Sequence, residues 1–236
     1  MTSGKKGINL SGLMGILQSF VDILTLKDHY TEQHSDRVKD YAVCIAKALK
    51  LDEATIECCK YAGLMHDIGK IGISAEILNK NGPLEGDELN IIRQHPLISE
   101  IFLSNGRITK QVLSGAVDLE TVLEILNRDD CAVSKMIRET AFSHHERYNG
   151  SGYPRNLKGD QIPLTGYILG IADSFDAMTS KRPYRGSMGF KRAVRQLTEE
   201  QNEQQLFDPR AFEGFLLAVD DIYDIFIKTK QDRLDP

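Results

Sequence analysis

Apolar residues recur at helical spacing along almost the whole chain. Leu10, Leu13, Leu17, Val21 and Leu24 predict a first helix, with Ser11 as its cap. Val38, Tyr41, Ala42, Ile45, Ala46 and Leu49 follow the i, i+3, i+4, i+7 pattern of a second. Asp52 to Met65 reads as a third. Pro83 to Gln94 and Pro96 to Ser104 read as two more, broken at His95-Pro96 because a residue before proline avoids the helical region. Asp118 to Leu126, Ala132 to Phe142, Thr165 to Ser180 and Phe190 to Glu200 are again helical. Tyr148 to Pro163, with Gly150, Gly152, Gly159, Pro154 and Pro163, reads as a loop. Asp208-Pro209 is a cap followed by proline at the first helical position. Phe212, Phe215, Leu216, Val219, Ile222 and Phe226 form the last core stripe. No segment alternates convincingly with period two, so the expected fold is all-α.

Length and composition narrow the picture. The 236 residues suffice for one substantial core and not for two large domains. No apolar run approaches the roughly 18 residues of a membrane span. Gln18 and Asp22 interrupt the first helix, which reads as part of a cytoplasmic protein and not as a signal peptide. Cys44, Cys58, Cys59 and Cys131 form no Cys-x-x-Cys pair and read as free thiols in a reducing compartment. A net charge of −5 argues against binding long nucleic acid, which needs basic patches. It leaves room for a small phosphodiester, because bound metals would add positive charge that a residue count omits.

The candidate chemistry lies in the histidines. His34 shares a helix face with Val38, Tyr41 and Ile45 and should point inward. His66-Asp67 ends the third helix, His95 ends another, and His144-His145 are adjacent; His29 stands apart. Any one of these is ordinarily a core histidine, a cap or a surface pair. Together, with Asp67 and Asp173 available, they form a set whose imidazole and carboxylate groups suit Fe, Mn or Zn. On these residues alone the reading stops at a His/Asp metal site for phosphoester or amide hydrolysis.

The motifs add a resemblance. His66-Asp67-Ile68-Gly69-Lys70 resembles the signature of the HD phosphohydrolase superfamily. His144-His145-Glu146-Arg147-Tyr148-Asn149-Gly150-Ser151-Gly152-Tyr153-Pro154 resembles the segment that names the HD-GYP family. His34-Ser35-Asp36-Arg37-Val38, Ile77-Leu78-Asn79-Lys80, His95-Pro96, Ile162-Pro163, Ala172-Asp173 through Ser180, Arg182-Pro183-Tyr184-Arg185 and Phe207-Asp208-Pro209 follow in the family's order. The resemblance spans about residues 28 to 220.

The resemblance implies an HD-domain-like helical bundle that hydrolyses cyclic di-GMP to the linear dinucleotide, and on to GMP. It implies two divalent metals, Fe or Mn, held by His34, His66, Asp67, His95, His144, His145 and Asp173, with Asp67 as the bridge. Tyr30 stands where some members carry a carboxylate for a third metal, so two are expected. Lys70 is implied beside Asp67 in catalysis, as the cation that stabilises charge at the phosphate. Tyr153, Asp176, Arg182 and Arg185 are implied substrate contacts, and Glu146 a partner that orients an imidazole. Residues 1–27 then form an extra N-terminal helical segment, packing on the domain of residues 28–236 or pairing with a second copy in a homodimer. Extra residues around 104–130 read as a helical insertion. Family members commonly serve sensors, which implies a sensory or regulatory partner. The competing readings are a receptor that binds a cyclic dinucleotide without cleaving it, a phosphohydrolase for another nucleotide, and a structural metal site with a closed coordination sphere.

Overall fold

A computed structural model describes residues 10–28, 33–104, 132–180 and 186–231. The expected helix at 118–126 lies outside them. Among the described residues no strand occurs. The helices are α1 (Leu10–Thr25), α2 (His34–Ala48), α3 (Glu53–Met65), α4 (Ala75–Leu78), α5 (Asp87–Ile92), α6 (His95–Ser104), α7 (Ala132–Ser143), α8 (Leu164–Thr179), α9 (Phe190–Gln204), α10 (Pro209–Leu217) and α11 (Val219–Gln231). Two 3₁₀ turns, Ile68–Gly72 and Gly159–Gln161, complete the set.

Two ends behave as their residues dictate. Asp52 caps α3 by accepting a hydrogen bond from the Thr55 amide at 2.8 Å. Asp208 does the same for the Arg210 amide at 2.8 Å, with Pro209 at the first helical position.

Three boundaries differ from expectation. His95 begins α6 instead of ending its predecessor, because Pro96 is tolerated in a first turn, where its missing N–H would be unsatisfied anyway. Helix α5 shrinks to six residues, and the chain before it turns through Gly86 at φ 53°. The last core stripe is two helices, with Ala218 between them.

Helix α8 sits at the centre. It packs against α2, α3, α7, α9 and α10, and most of its residues are buried. A helix apolar on nearly every side belongs in a core. Yet α8 also buries Thr165, Asp173, Asp176 and Thr179, which must find partners there. Thr165 meets Thr140 of α7 at 2.6 Å, and the Thr179 hydroxyl donates to the Phe175 carbonyl at 2.9 Å. The two aspartates look toward α2. In α1, Phe20, Val21 and Leu24 are buried, and the helix lies against α3 and the first 3₁₀ turn.

Candidate metal centre

Helices α2, α3, α6 and α7, together with α8, bring five imidazoles and two carboxylates to one buried place. Their shared feature is how each ring is held. The Nδ1 atoms of His66, His95 and His144 lie 2.7, 2.8 and 2.5 Å from the carbonyls of Gly63, Ile92 and Ala141, each three residues upstream. A carbonyl only accepts, so each Nδ1 carries the proton and each neutral ring keeps its lone pair on Nε2. His34 Nδ1 is held the same way, 2.7 Å from a carboxylate oxygen of Asp176.

These nitrogens face one another. His34 Nε2 lies 3.3 Å from His66 Nε2, and His95 Nε2 lies 3.5 Å from His144 Nε2. In the His95–His144 pair both Nε2 atoms carry lone pairs, which repel at that distance unless a cation lies between them. Two imidazoles on one cation, each about 2.1 Å from it, stand about 3 to 3.5 Å apart at angles near 90–110°. The donor set therefore fits metal ions.

The residues fall into two groups whose donor atoms lie within 4.8 Å of one another: His34, His66 and Asp173, and His95, His144 and His145. His66 and His144 form a third such group with Asp67, which stands between the first two. One Asp67 oxygen is 3.1 Å from His95 Nε2, and the other is 3.4 Å from His66 Nε2 and 3.6 Å from His34 Nε2. One carboxylate thus offers an oxygen to each side.

The electrostatics suit ligands. Burial pushes His144 down to about 3, helped by the neighbouring His66 and His95. Burial, with His144 and His95, holds His145 well below the ordinary histidine range, and His66 is lowered chiefly by burial too. Burial alone would raise the Asp67 carboxyl, but Lys70 and His66 hold it well below the usual range. Asp173 is likewise lowered against its burial, by His34, His66 and His144. Neutral imidazoles and ionised carboxylates are the forms that bind metal. His34 differs: burial opposes its charge, but Asp176 and Asp67 hold its pKa up to about 9. A metal at its Nε2 would displace a proton there.

Lys70 reaches Asp67 at 2.7 Å from the 3₁₀ turn. That turn is fixed by Gly69, where a Cβ would collide with the His95 carbonyl and the Ser99 amide. The Gly69 amide instead donates to the Ser99 hydroxyl at 2.8 Å, which ties the His66-Asp67 segment to the helix that carries His95. Tyr153 stacks on His145, with centroids 4.6 Å apart and planes at 27°. Its loop needs Gly152, where a Cβ would run into the backbone of Glu146 and Arg147.

Two expected roles change. Asp176 is fully buried, and its oxygens meet His34, Arg37 and Ser180, so it orients His34 and presents nothing to a base or ribose. Glu146 orients no imidazole. Its two oxygens accept from the Arg155 and Leu157 amides at 2.7 and 2.9 Å and so pin the loop that carries Tyr153. Arg182, Arg185, His29 and Tyr30 lie outside the described residues.

Three contributors were missed from sequence. Arg37 clamps Asp176, with its Nη2 at 3.0 Å; its signal was a charge three residues after His34, on the buried face. Ser99 had no signal of its own. Asp28, 3% exposed and 3.6 Å from Lys70, is a second carboxylate on that lysine and falls beyond the periodic part of α1.

An all-helical domain with this His/Asp centre has the architecture of metal-dependent phosphohydrolases. The chain belongs to the HD domain family, whose model matches residues 18–211. Among curated proteins it is 33% identical over 220 residues to a cyclic di-GMP phosphodiesterase of Thermotoga maritima, covering 93% of this chain and 53% of that protein. It is 32% identical over 204 residues to 3′3′-cGAMP-specific phosphodiesterase 3 of Vibrio cholerae, covering 86% and 38%. It is 34% identical over 190 residues to a cyclic di-GMP phosphodiesterase response regulator of Xanthomonas campestris, covering 80% and 44%. The chain thus spans about half or less of the length of these relatives. Among the described residues no helix is long and apolar enough to cross a membrane.

Proposed function

We propose that this chain is a phosphodiesterase that opens cyclic di-GMP to the linear dinucleotide, and on to GMP, with two divalent metals, iron or manganese. The observation that carries the reading is Asp67, which turns one oxygen toward each histidine set. His34, His66 and Asp173 would hold one metal, and His95, His144 and His145 the other. Such a pair lowers the pKa of water and polarises a phosphoryl oxygen, which supplies a nucleophile near neutral pH. The chain's own residues do the rest. Asp176 and three backbone carbonyls aim the imidazoles, and Lys70 keeps a cationic donor beside Asp67 for charge developing on phosphate. Arg182 and Arg185 add cations for the second phosphate or a guanine edge.

The guanine-containing mixed cyclic dinucleotide is a second substrate reading, supported by the printed activity of the Vibrio relative. Residues 28–236 would form the catalytic unit, acting in the cytoplasm, with 1–27 packed on it or pairing two copies. A sensory or regulatory partner would deliver the input.

The test is anaerobic incubation of iron- or manganese-loaded protein with cyclic di-GMP, followed by chromatography of the products. Linear dinucleotide or GMP from the wild type, and none from Asp67→Ala, is the expected result. Unchanged substrate with two metals bound per chain would refute the hydrolytic reading and leave a receptor.

A further inference from the structure

Arg93 stands at the rim of the site without an assigned task. It follows α5 directly and is exposed. Its place is nonetheless fixed, because the Ile92 carbonyl before it accepts the His95 Nδ1 proton at 2.8 Å. The guanidinium lies over the Tyr153 ring, 5.4 Å from its centroid, and that ring stacks on His145. Arginine, tyrosine and histidine thus form a column that starts at a candidate ligand and ends at the surface. Both supports of the column are pinned. Besides the grip of Glu146, the Arg155 guanidinium reaches Glu100 of α6 at 2.8 Å, and the Tyr153 amide donates to the His145 carbonyl at 3.2 Å.

Every other arginine of the described site region has a task. Arg37 is spent on Asp176, Arg147 on the His144 and Glu146 carbonyls, and Arg155 on Glu100. No described residue takes a hydrogen bond or ion pair from the Arg93 guanidinium. A guanidinium held on an aromatic face, with its N–H donors uncommitted, is a reader of planar acceptor pairs. Guanine offers such a pair in O6 and N7, whereas adenine puts an N–H₂ donor beside its N7. Flat bases also settle on stacked aromatic and guanidinium planes.

We propose that Arg93 is a specificity-determining residue that takes the O6/N7 edge of a guanine in the bound cyclic dinucleotide. This rests on the phosphodiesterase reading for its substrate class, and it is separable from that reading because binding alone reports it. Phosphate is the alternative acceptor for a bidentate guanidinium, but the centre of the site already supplies Lys70 for that charge. Arg93 lies outward from there, on a stacking platform.

The experiment measures dissociation constants of the metal-loaded full chain for GMP, AMP and inorganic phosphate, in wild type, Arg93→Ala and Arg93→Lys. Arg93→Ala should weaken GMP by about 10- to 100-fold, the size of one bidentate base contact, and Arg93→Lys by less, because lysine also reaches O6 and N7. AMP and phosphate should stay within about twofold. With cyclic di-GMP as substrate, the loss should appear in KM and not in kcat. Equal weakening of AMP and phosphate would make the contact a phosphate contact and overturn the proposal. So would unchanged GMP binding, or loss of metal from either variant. A wild type that binds GMP through Arg93 but cleaves no cyclic di-GMP would sink the reaction and leave the base contact standing.

Discussion

The two histidine sets are built alike at their nitrogens and differently behind them. The inner set, His34 and His66 with Asp173, shares the carbonyl support at His66 but holds His34 by charge. Asp176 holds His34, Arg37 holds Asp176 with its Nη2 at 3.0 Å, and that Nη2 also reaches Ser180 at 2.9 Å. The outer set, His95, His144 and His145, leans on backbone carbonyls and on the Tyr153 ring, and Asp173 comes no nearer than a 3.9 Å contact with His145 Nδ1. A cation in the inner set would meet Asp173 and one oxygen of Asp67, and in the outer set the other Asp67 oxygen, with Asp173 farther off at 3.9 Å from His145 Nδ1. The inner cation should therefore be held more tightly, and the outer one should exchange more readily and lie nearer the rim. Equal affinities in a two-site metal titration would break this contrast.

The largest effect is expected where the sets share a residue. Asp67→Ala removes an oxygen from both, so metal content should fall toward none from the two per chain proposed above. Turnover should fall by more than the roughly 10- to 100-fold that supporting partners carry. Metal analysis beside product chromatography checks this; one fully retained cation would mean that Asp67 serves a single set.

Next comes the charged support. Asp176→Asn takes a buried carboxylate away from Arg37 and should cost about 3–5 kcal/mol in urea unfolding. It should weaken the inner cation by roughly 10- to 100-fold and spare the outer one. Adding Arg37→Met should restore stability without restoring the inner cation, which separates folding from ligand orientation. Gly69→Ala is the counterpart for the outer set. Its methyl group would meet the His95 carbonyl, so relief must come from movement at the start of α6. A cost of about 1–3 kcal/mol is expected, with the outer cation the one that loosens. Loss of the inner cation alone from Gly69→Ala would reverse the assignment of which set this glycine supports.

The sequence made the apolar stripes legible because they repeat. It marked His66-Asp67 and His144-His145 because scarce histidines stand adjacent, and the family motifs named the remaining candidates. What it hid are groups acting across the fold without periodic neighbours. Asp28 meets Lys70 only because α1 ends against the 3₁₀ turn, and Ser99 meets Gly69 only because α6 starts at His95. The resemblance marked Asp176 as a site residue, but a motif does not tell whether a carboxylate looks into a pocket or into an arginine. The turn at Ile68–Gly72 and helix α4 are too short for a 3.6-residue period to register.

The smallest effect should come from the neutral support of the outer set. The Tyr153 ring packs on His145, and an aromatic contact of this kind is worth about 0.5–1.5 kcal/mol. Tyr153→Ala should therefore loosen the outer cation by about 2- to 12-fold and leave the inner one alone. Tyr153→Phe keeps the ring and removes only a hydroxyl whose ionisation is already pushed up by burial, with Asp173 and Asp67 adding to it. If the ring is the working part, Tyr153→Phe should match wild type in metal titration and in turnover of cyclic di-GMP. A fall in turnover with both cations in place would instead assign the phenol to the substrate. The column on His145 would then do more than support it, and the outer set would be the half of the centre that meets the reacting phosphate.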